Sequence, residues 1–535
     1  MTVARYWHTL RHLKAQQFVC RAWFSFYRPR PDLRPVPPLR RAQRSWVSPE
    51  WRSSHLTAPT NATFLNQPAE IASAPAWQDI SRGRLWLYHL HYFDDLTARA
   101  AAHRRSWHVA LISRWIKENP PGQGAGWEPY PTSLRIANWI KWLLSYPDVG
   151  QLGPDAATSL AVQARWLKRR LECHILGNHL WANAKALLMA GAFFTGPESD
   201  AWRRKGLETL TAQLNEQILT DGGHFERSPM YHAIILEDIL DLIQLAGVFE
   251  NVVPAETVQR LRAIATLMLR WLRVMTHPDG EISFFNDAAF DIAARYRAMD
   301  AYAHTVGLDP DERPIAPVEW LRESGYVRLT NERAAVLCDV APVGPDYQPG
   351  HAHADTLSFE LSVDGRRVVV NGGTSTYTPG AERSRQRGTA AHSTVEVDGL
   401  NSSDVWGAFR VARRARPLEV RAGGTADGYW VEAAHDGYRH RPGHVVHRRT
   451  WRLDHTGLSV TDELEGSYET AVSRFMLHPD MAAQSASTVQ FSCEPASPLR
   501  TVAAHWHPRF GESQDTVVVE VALVAPQTTT RLTWS

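Results

Sequence analysis

Cysteine is scarce in this chain of 535 residues: Cys20, Cys173, Cys338 and Cys493 stand far apart, with no close pair of the kind that marks a redox or zinc motif. A disulfide framework is therefore not expected, and the compartment stays open. No apolar run is long enough to span a bilayer. No apolar core separates a basic start from a small-residue cleavage site, so no secretory signal is visible. Excess charge is lacking too: 58 Lys and Arg against 56 Asp and Glu leave +2, which gives no whole-chain attraction to nucleic acid. Zinc-finger spacing, a phosphate-binding glycine loop and a dinucleotide fingerprint are also missing. Acid is nearly absent from the opening stretch "RYWHTLRHLKAQQFVCRAWFSFYRPRPDLRPVPPLRR", which reads as a solvated arm or docking helix, or as a contact for a polyanion or membrane surface.

What is present describes a soluble globular protein of two or three domains, with 44% hydrophobic and 21% charged residues. The 21 Trp supply flat apolar faces that suit sugar rings as well as cores. From about Ala98 to Gly307 apolar residues recur at helical spacing, as in "HLWANAKALLMAGAFF" and "YHAIILEDILDLIQLAGVF". Gly, Pro and Asp break the runs where short turns would sit, so this half is an array of helical hairpins, either a solenoid or a closed toroid. After roughly Glu323 the pattern becomes alternation, as in "TLSFELSVDGRRVVV" and "DTVVVEVALV", with hairpin signals at Asp364-Gly365 and Asp398-Gly399. That half reads as an antiparallel β-sandwich. The expected division is residues 1–50 (basic helix and a linker, "RPRPDLRPVPPLRR"), 51–315 (helical) and 316–535 (β), with a hinge near Pro310 to Pro317.

Three polar clusters interrupt these patterns. In "ILGNHLWANAKAL", Asn178 and His179 break two helical runs; Asn178 is either a helix cap or an amide donor aimed at a ligand carboxylate. In "TDGGHFERSPMYHAIILEDIL", Ser228-Pro229 signals a helix start, and Tyr231 follows as packing or as a hydroxyl facing a cleft. In "GHAHADTLSFEL", His351, His353 and Asp355 alternate, so in an extended chain they share one face. That face suits a metal site, a proton-transfer site or a hydrogen-bonded surface, and with His392 three imidazoles could hold Zn²⁺.

Taken in order, "LYHLHYFDDL", "WEPYPTSLRIANWIKWL", "GNHLWANAKALLMAGAFF", "DGGHFERSPMYH", "GHAHADTLSFEL", "NGGTSTY" and "RGTAAHSTVEVDG" resemble the heparinase II/III family of polysaccharide lyases, to which related alginate lyases also belong. The resemblance spans about Leu85 to Asp398. It implies an incomplete (α/α) toroid followed by antiparallel β-sheet, and β-elimination at a uronic acid of an acidic polysaccharide, leaving an unsaturated sugar. On the matching positions it implies that Asn178 and His179 neutralise the carboxylate, that His351 takes the C5 proton and that Tyr231 protonates the leaving O4. Tyr231 serves both roles for the opposite C5 configuration. Tyr377 sits near a second catalytic tyrosine of some alginate-cleaving members, with packing as its alternative.

The resemblance also implies one structural zinc held by His353, Asn371 and His392. Asn371 replaces an anionic ligand and Ser393 a usual Asn, changes that weaken such a site. Asp355 would orient an imidazole or a turn. Arg135 and Arg387 are candidates for substrate carboxylates or sulfates, or else ordinary ion pairs. Trp127, Tyr130 and Trp181 are candidates for sugar stacking, Trp181 more readily for the core. Two other functions stay open: a glycoside hydrolase drawing on Glu128, Glu226 or Asp287, and a non-catalytic glycan-binding or exopolysaccharide-assembly protein. The resemblance places the chain in the periplasm or cell envelope, while the missing signal leaves the cytoplasm open.

Overall fold

The computed structural model describes residues 3–150, 152–311, 313–483 and 489–534. Two short amphipathic helices, α1 (Val3–Leu10) and α2 (Ala15–Phe26), come first. The Pro/Arg-rich segment after them is a strap rather than a free linker. Arg165 holds the carbonyls of Asp32, Arg34 and Pro35, and Thr195 N donates to the Pro38 carbonyl. Alternation too short to read in the sequence then gives a small meander, β1 (Leu56–Ala58), β2 (Asn61–Phe64) and β3 (Gln67–Glu70).

The helical half continues with α3 (Arg84–Tyr92), α4 (Arg105–Glu118), α5 (Pro129–Ser145), α6 (Leu152–Arg169), α7 (Gly177–Phe193), α8 (Pro197–Gln217), α9 (Pro229–Val248), α10 (Ala255–Val274) and α11 (Tyr296–Thr305). Packing follows apolar content. Helices α5, α7 and α9 are apolar nearly all round and buried nearly all round, whereas α8 and α10 keep polar faces in solvent. The buried helices touch one another in the order α3, α5, α7, α9, α11, with α4, α6, α8 and α10 outside them. This curved double layer is the (α/α) toroid. Helices α7 and α8 approach closely because Gly191 and Gly206 carry no Cβ: one there would sit 2.5 Å from Arg203 N and 2.6 Å from Leu188 N. Lys141 of α5 and Lys185 of α7 meet Asp241 of α9 in a buried ion cluster that ties three inner helices together.

The β half starts with an antiparallel sheet in the order β4 (Val318–Leu321), β5 (Tyr326–Thr330), β6 (Ala334–Asp339), β7 (Phe359–Val363), β8 (Arg366–Val369). Helix α12 (Ala381–Gln386), strand β9 (Val395–Val397) and the hairpin β10 (Val405–Trp406) and β11 (Arg410–Val411) follow. Strands β12 (Pro417–Thr425), β13 (Gly428–His435), β14 (Val446–Leu453), β15 (Gly457–Glu465), β16 (Ala471–Met476), β17 (Val489–Glu494), β18 (Leu499–Trp506), β19 (Gln514–Ala522) and β20 (Gln527–Trp534) complete it. They form two further antiparallel sheets, β12-β13-β14-β15-β20-β17 and β18-β19-β16-β9. Inward side chains of all three sheets, among them Val336, Phe359, Trp451, Phe475 and Val521, share one core. The helical core runs on into Val370, Met476, Trp506 and Phe510 of the β half, so the halves are packed together along the cleft described next.

Scattered spacing gave no hint of one covalent link. Cys20 of α2 is bonded to Cys173, with Cα atoms 5.8 Å apart, a single bond where no disulfide framework was expected. The partners are 153 residues apart and meet only once α2 has docked on the toroid.

Candidate active site

A cleft of about 1820 Å³ lies where the toroid faces the β half. It exceeds the roughly 300–1,000 Å³ of small-molecule pockets and has room for several sugar units. Asn178, His179, Tyr231, His351 and Tyr377 all line it.

Asn178 and His179 enter from the first turn of α7. Leu176 there takes φ 69° and ψ −153°, and Gly177 φ 55°, so two left-handed residues turn the chain sharply into the helix. Asn178 Oδ1 is buried and has no hydrogen-bond partner among the described residues. His179 Nδ1 sits 3.0 Å from Glu172 Oε1, and its ring lies 4.3 Å from that of Tyr130. Burial works against its cation, but Glu172 outweighs burial and raises the His179 pKa, favouring imidazolium. Glu172 is itself fixed by Asn183 Nδ2 at 3.0 Å.

Tyr231 enters from the start of α9. Ser228 caps that helix, accepting from Tyr231 N at 3.2 Å, and Pro229 occupies the first turn. The Tyr231 ring stacks 3.9 Å from the His351 ring, and its hydroxyl is 3.0 Å from that of Tyr377. Burial drives the pKa values of both phenols well above 10, so each holds its proton.

His351 enters from the loop between β6 and β7. Its Nδ1 meets Asp287 Oδ2 at 2.9 Å, and Asp287 N donates to the His351 carbonyl, also at 2.9 Å. Burial alone would raise the Asp287 pKa. Arg383, paired with both its oxygens, and the His351 and His353 N–H groups hold it well below the usual range instead. A permanently ionised Asp287 fixes the Nδ1–H tautomer, which leaves Nε2 as the free basic nitrogen. Glu226 closes the set: its Oε1 accepts from Asn178 N at 3.4 Å, and its Oε2 is 3.8 Å from His351 Nε2. Burial raises its pKa.

The other expected residues divide. Tyr130 and Trp127 both line the cleft, Trp127 being otherwise buried with its Nε1 donating to the Asn119 carbonyl. Trp181 is core and donates to Asp238. Arg135 and Arg387 are not available to substrate. Arg135 is fully buried against Trp115 and bonded to Gln163 Oε1. Arg387, also fully buried, holds the carbonyls of Ala352, Gly407 and Arg410 and so pins the His351 loop. Sequence alone does not tell a substrate-binding arginine from a structural one, because a one-dimensional motif does not say on which side of a loop a guanidinium points.

The expected metal trio is partly assembled. His353 Nδ1 lies 3.2 Å from His392 Nε2, while His353 Nε2 is taken by Asp287 at 2.9 Å. The Asn371 amide is committed elsewhere, to Ser358 Oγ at 3.3 Å and Ser393 N at 3.1 Å. Asp355 stands in its place, with ligand atoms of His353, Asp355 and His392 all within 4.8 Å of one another. Two imidazoles and a carboxylate are a donor set that suits zinc. Sequence reasoning missed Glu172 and Arg383 and weighed Asp287 and Glu226 only as hydrolase acids. The buried position of Asp287 between His351 and His353 is a tertiary fact with no local signal.

A helical toroid joined to antiparallel β-sheets, with an amide, a phenol and an oriented imidazole lining the cleft between them, defines the class of (α/α)-toroid proteins with an appended β half. Family models agree: heparinase II/III N-terminus matches residues 86–313 and heparinase II/III-like, C-terminal matches residues 313–535. The chain belongs to the heparinase II/III family. It is 24% identical over 374 residues to a heparin-sulfate lyase of Bacteroides stercoris, covering 65% of this chain and 53% of that protein. It therefore spans about half the length of that relative. It is also 27% identical over 417 residues to FtsZ-localized protein C of Caulobacter vibrioides, covering 75% of this chain and 67% of that one. A crystal structure of heparinase III superposes with a TM-score of 0.67 at 18% identity, over 88% of this chain and 79% of the other, a likeness of fold.

Proposed function

We propose that this protein is a polysaccharide lyase that cleaves a uronic-acid-containing glycan by β-elimination. One observation carries the reading: His351, with its Nδ1 proton committed to Asp287, presents Nε2 beside the protonated Tyr231 phenol in the same cleft as the Asn178 amide. The C5 proton of a uronate is weakly acidic, and its removal builds negative charge on the adjoining carboxylate. Donors aimed at that charge lower the barrier more than donors that merely bind the ground state. The His179 imidazolium and the Asn178 amide are such donors. His351 Nε2 takes the C5 proton, the electron pair forms the C4–C5 double bond, the C4–O4 bond breaks and Tyr231 gives its proton to O4. Arg21, Arg28, Arg84, Arg170, Arg410 and Arg414 line the cleft and suit an anionic chain.

A hydrolase finds less support. Asp287 is fully buried and ion-paired, and Glu128 is tied to Arg84 and Tyr88. A zinc ion would be held by His353, Asp355 and His392, where it would stiffen the loop that carries His351; no step runs through it. The Cys20–Cys173 bond supports an oxidising compartment such as the periplasm. Similarity to FtsZ-localized protein C leaves open a second reading, a non-catalytic glycan-binding or exopolysaccharide-assembly role. Incubation with a panel of uronate polymers, followed by ultraviolet absorbance of the unsaturated product, tests the proposal. A rise on at least one polymer, abolished in Tyr231→Phe, supports it; no rise on any favours the assembly role.

A further inference from the structure

Exposed large apolar side chains are densest in the two N-terminal helices, with Leu33, Val36, Leu39 and Val47 of the strap beyond them. From residue 48 onward, among the described residues, only Ile80, Leu267, Phe409, Leu499, Val502 and Val524 are comparably exposed. The two N-terminal helices alone expose Val3, Trp7, Leu10, Phe18, Val19, Trp23 and Phe26. These residues follow helical spacing: Val3, Trp7 and Leu10 share a face of α1, and Phe18, Val19, Trp23 and Phe26 share a face of α2.

The opposite faces are anchored to the body. Tyr6 packs edge-on to Trp406, whose Nε1 donates to Thr9 Oγ1 at 3.1 Å. Gln17 Nε2 donates to the Tyr347 carbonyl, Cys20 is bonded to Cys173, and Phe24 lies 4.2 Å from His174 under the Arg170 guanidinium. Rotation of either helix to hide its apolar face would break these contacts. The outward faces therefore stay in solvent, with Trp7 at 65%, Trp23 at 60% and Phe26 at 86% exposure. Such a patch in a soluble protein marks a surface that meets something.

Charge says what. Arg5, Arg11 and Arg30 are exposed along the same segment outside the cleft, Arg21 and Arg28 face the cleft, and no acidic residue precedes Asp32. A second copy would bring these cations against each other. A soluble polyanion would use the arginines and leave the Trp and Phe unexplained. An anionic lipid surface takes both, because apolar side chains sink into the acyl boundary while arginines stay at the headgroups. The helices are 8 and 12 residues long, too short to cross a membrane, and among the described residues no helix is long and apolar enough to do so.

We infer that α1 and α2 form an in-plane anchor that docks the protein on an anionic phospholipid surface through Val3, Trp7, Phe18, Val19, Trp23 and Phe26. Their inner faces line the cleft, so the docked bilayer lies on the far side of both helices from it. The inference does not rest on the lyase reading.

Co-sedimentation of the full-length, disulfide-intact protein with vesicles tests it. Binding is expected to mixed phosphatidylglycerol and phosphatidylcholine and to be weak with phosphatidylcholine alone. Phe18→Ser/Phe26→Ser, with an unchanged unfolding temperature, is expected to lower the vesicle-bound fraction by about tenfold or more. Three results overturn the inference: no sedimentation of the wild type with anionic vesicles, wild-type sedimentation of the double variant, or a dimer by light scattering that the double variant abolishes while vesicle binding persists.

Discussion

Asp287, from the loop between α10 and α11, accepts the Nδ1 proton of His351, from the β half, at 2.9 Å. The two residues are 64 apart in sequence, and their bond sets which imidazole nitrogen faces the cleft. Asp287→Asn removes the charge that fixes this tautomer. Turnover on an active polymer is expected to fall by ~10²–10⁴-fold, the scale seen when an orienting carboxylate is neutralised. The variant also leaves Arg383 without its carboxylate, so thermal unfolding is measured alongside and kinetics are read only where the variant is folded.

Tyr231→Phe keeps the ring that stacks on His351 and removes the acid. The kcat is expected to drop by about 10²-fold or more while substrate affinity by calorimetry changes little. Tyr377→Phe removes only the hydroxyl partner of Tyr231 and is expected to cost less. Equal losses in both would transfer the acid role to the pair.

His179 carries a pH prediction. Its folded-state pKa is raised above the ordinary 6.5 by Glu172. The ion pair therefore stabilises the fold fully below pH 6.5, and that contribution is lost as pH climbs through the raised value. Substrate binding follows the same sign, because the imidazolium is the form that meets a carboxylate. Glu172→Gln is expected to shift the alkaline rise in KM to lower pH. An unmoved profile would remove His179 from substrate binding.

Metal content separates two donor sets. Asp355→Ala or His392→Ala is expected to abolish zinc measured by mass spectrometry on purified protein, whereas Asn371→Ala is expected to leave it unchanged, since the Asn371 amide is already spent on Ser358 and Ser393.

Much of this architecture was legible because periodicity is a local property. The apolar runs of α7 and α9 reported their burial directly and Ser228-Pro229 marked the start of α9, whereas the alternation around β7 marked a strand without showing that both faces of β6 and β7 are buried. Motif order located Asn178, Tyr231 and His351, and the fold brings all three to one cleft. What stayed hidden depends on direction and distance. Arg135 and Arg387 look like ligand-binding cations until their guanidinium groups are seen bonding inward. Cys20 and Cys173 have no spacing signal, because a docked helix and not the intervening chain brings them together. Asp287 gave no signal either, since its importance lies in touching His351, His353 and Arg383 at once.

The most direct measurement is cleavage of an active uronate polymer in ¹⁸O-labelled water, with mass spectrometry of the new ends. Elimination through His351 and Tyr231 predicts an unsaturated terminal sugar and no label at either end. Label at the newly formed reducing end, with no unsaturated product, would mean that water cuts the bond and that the roles given to His351 and Tyr231 are wrong.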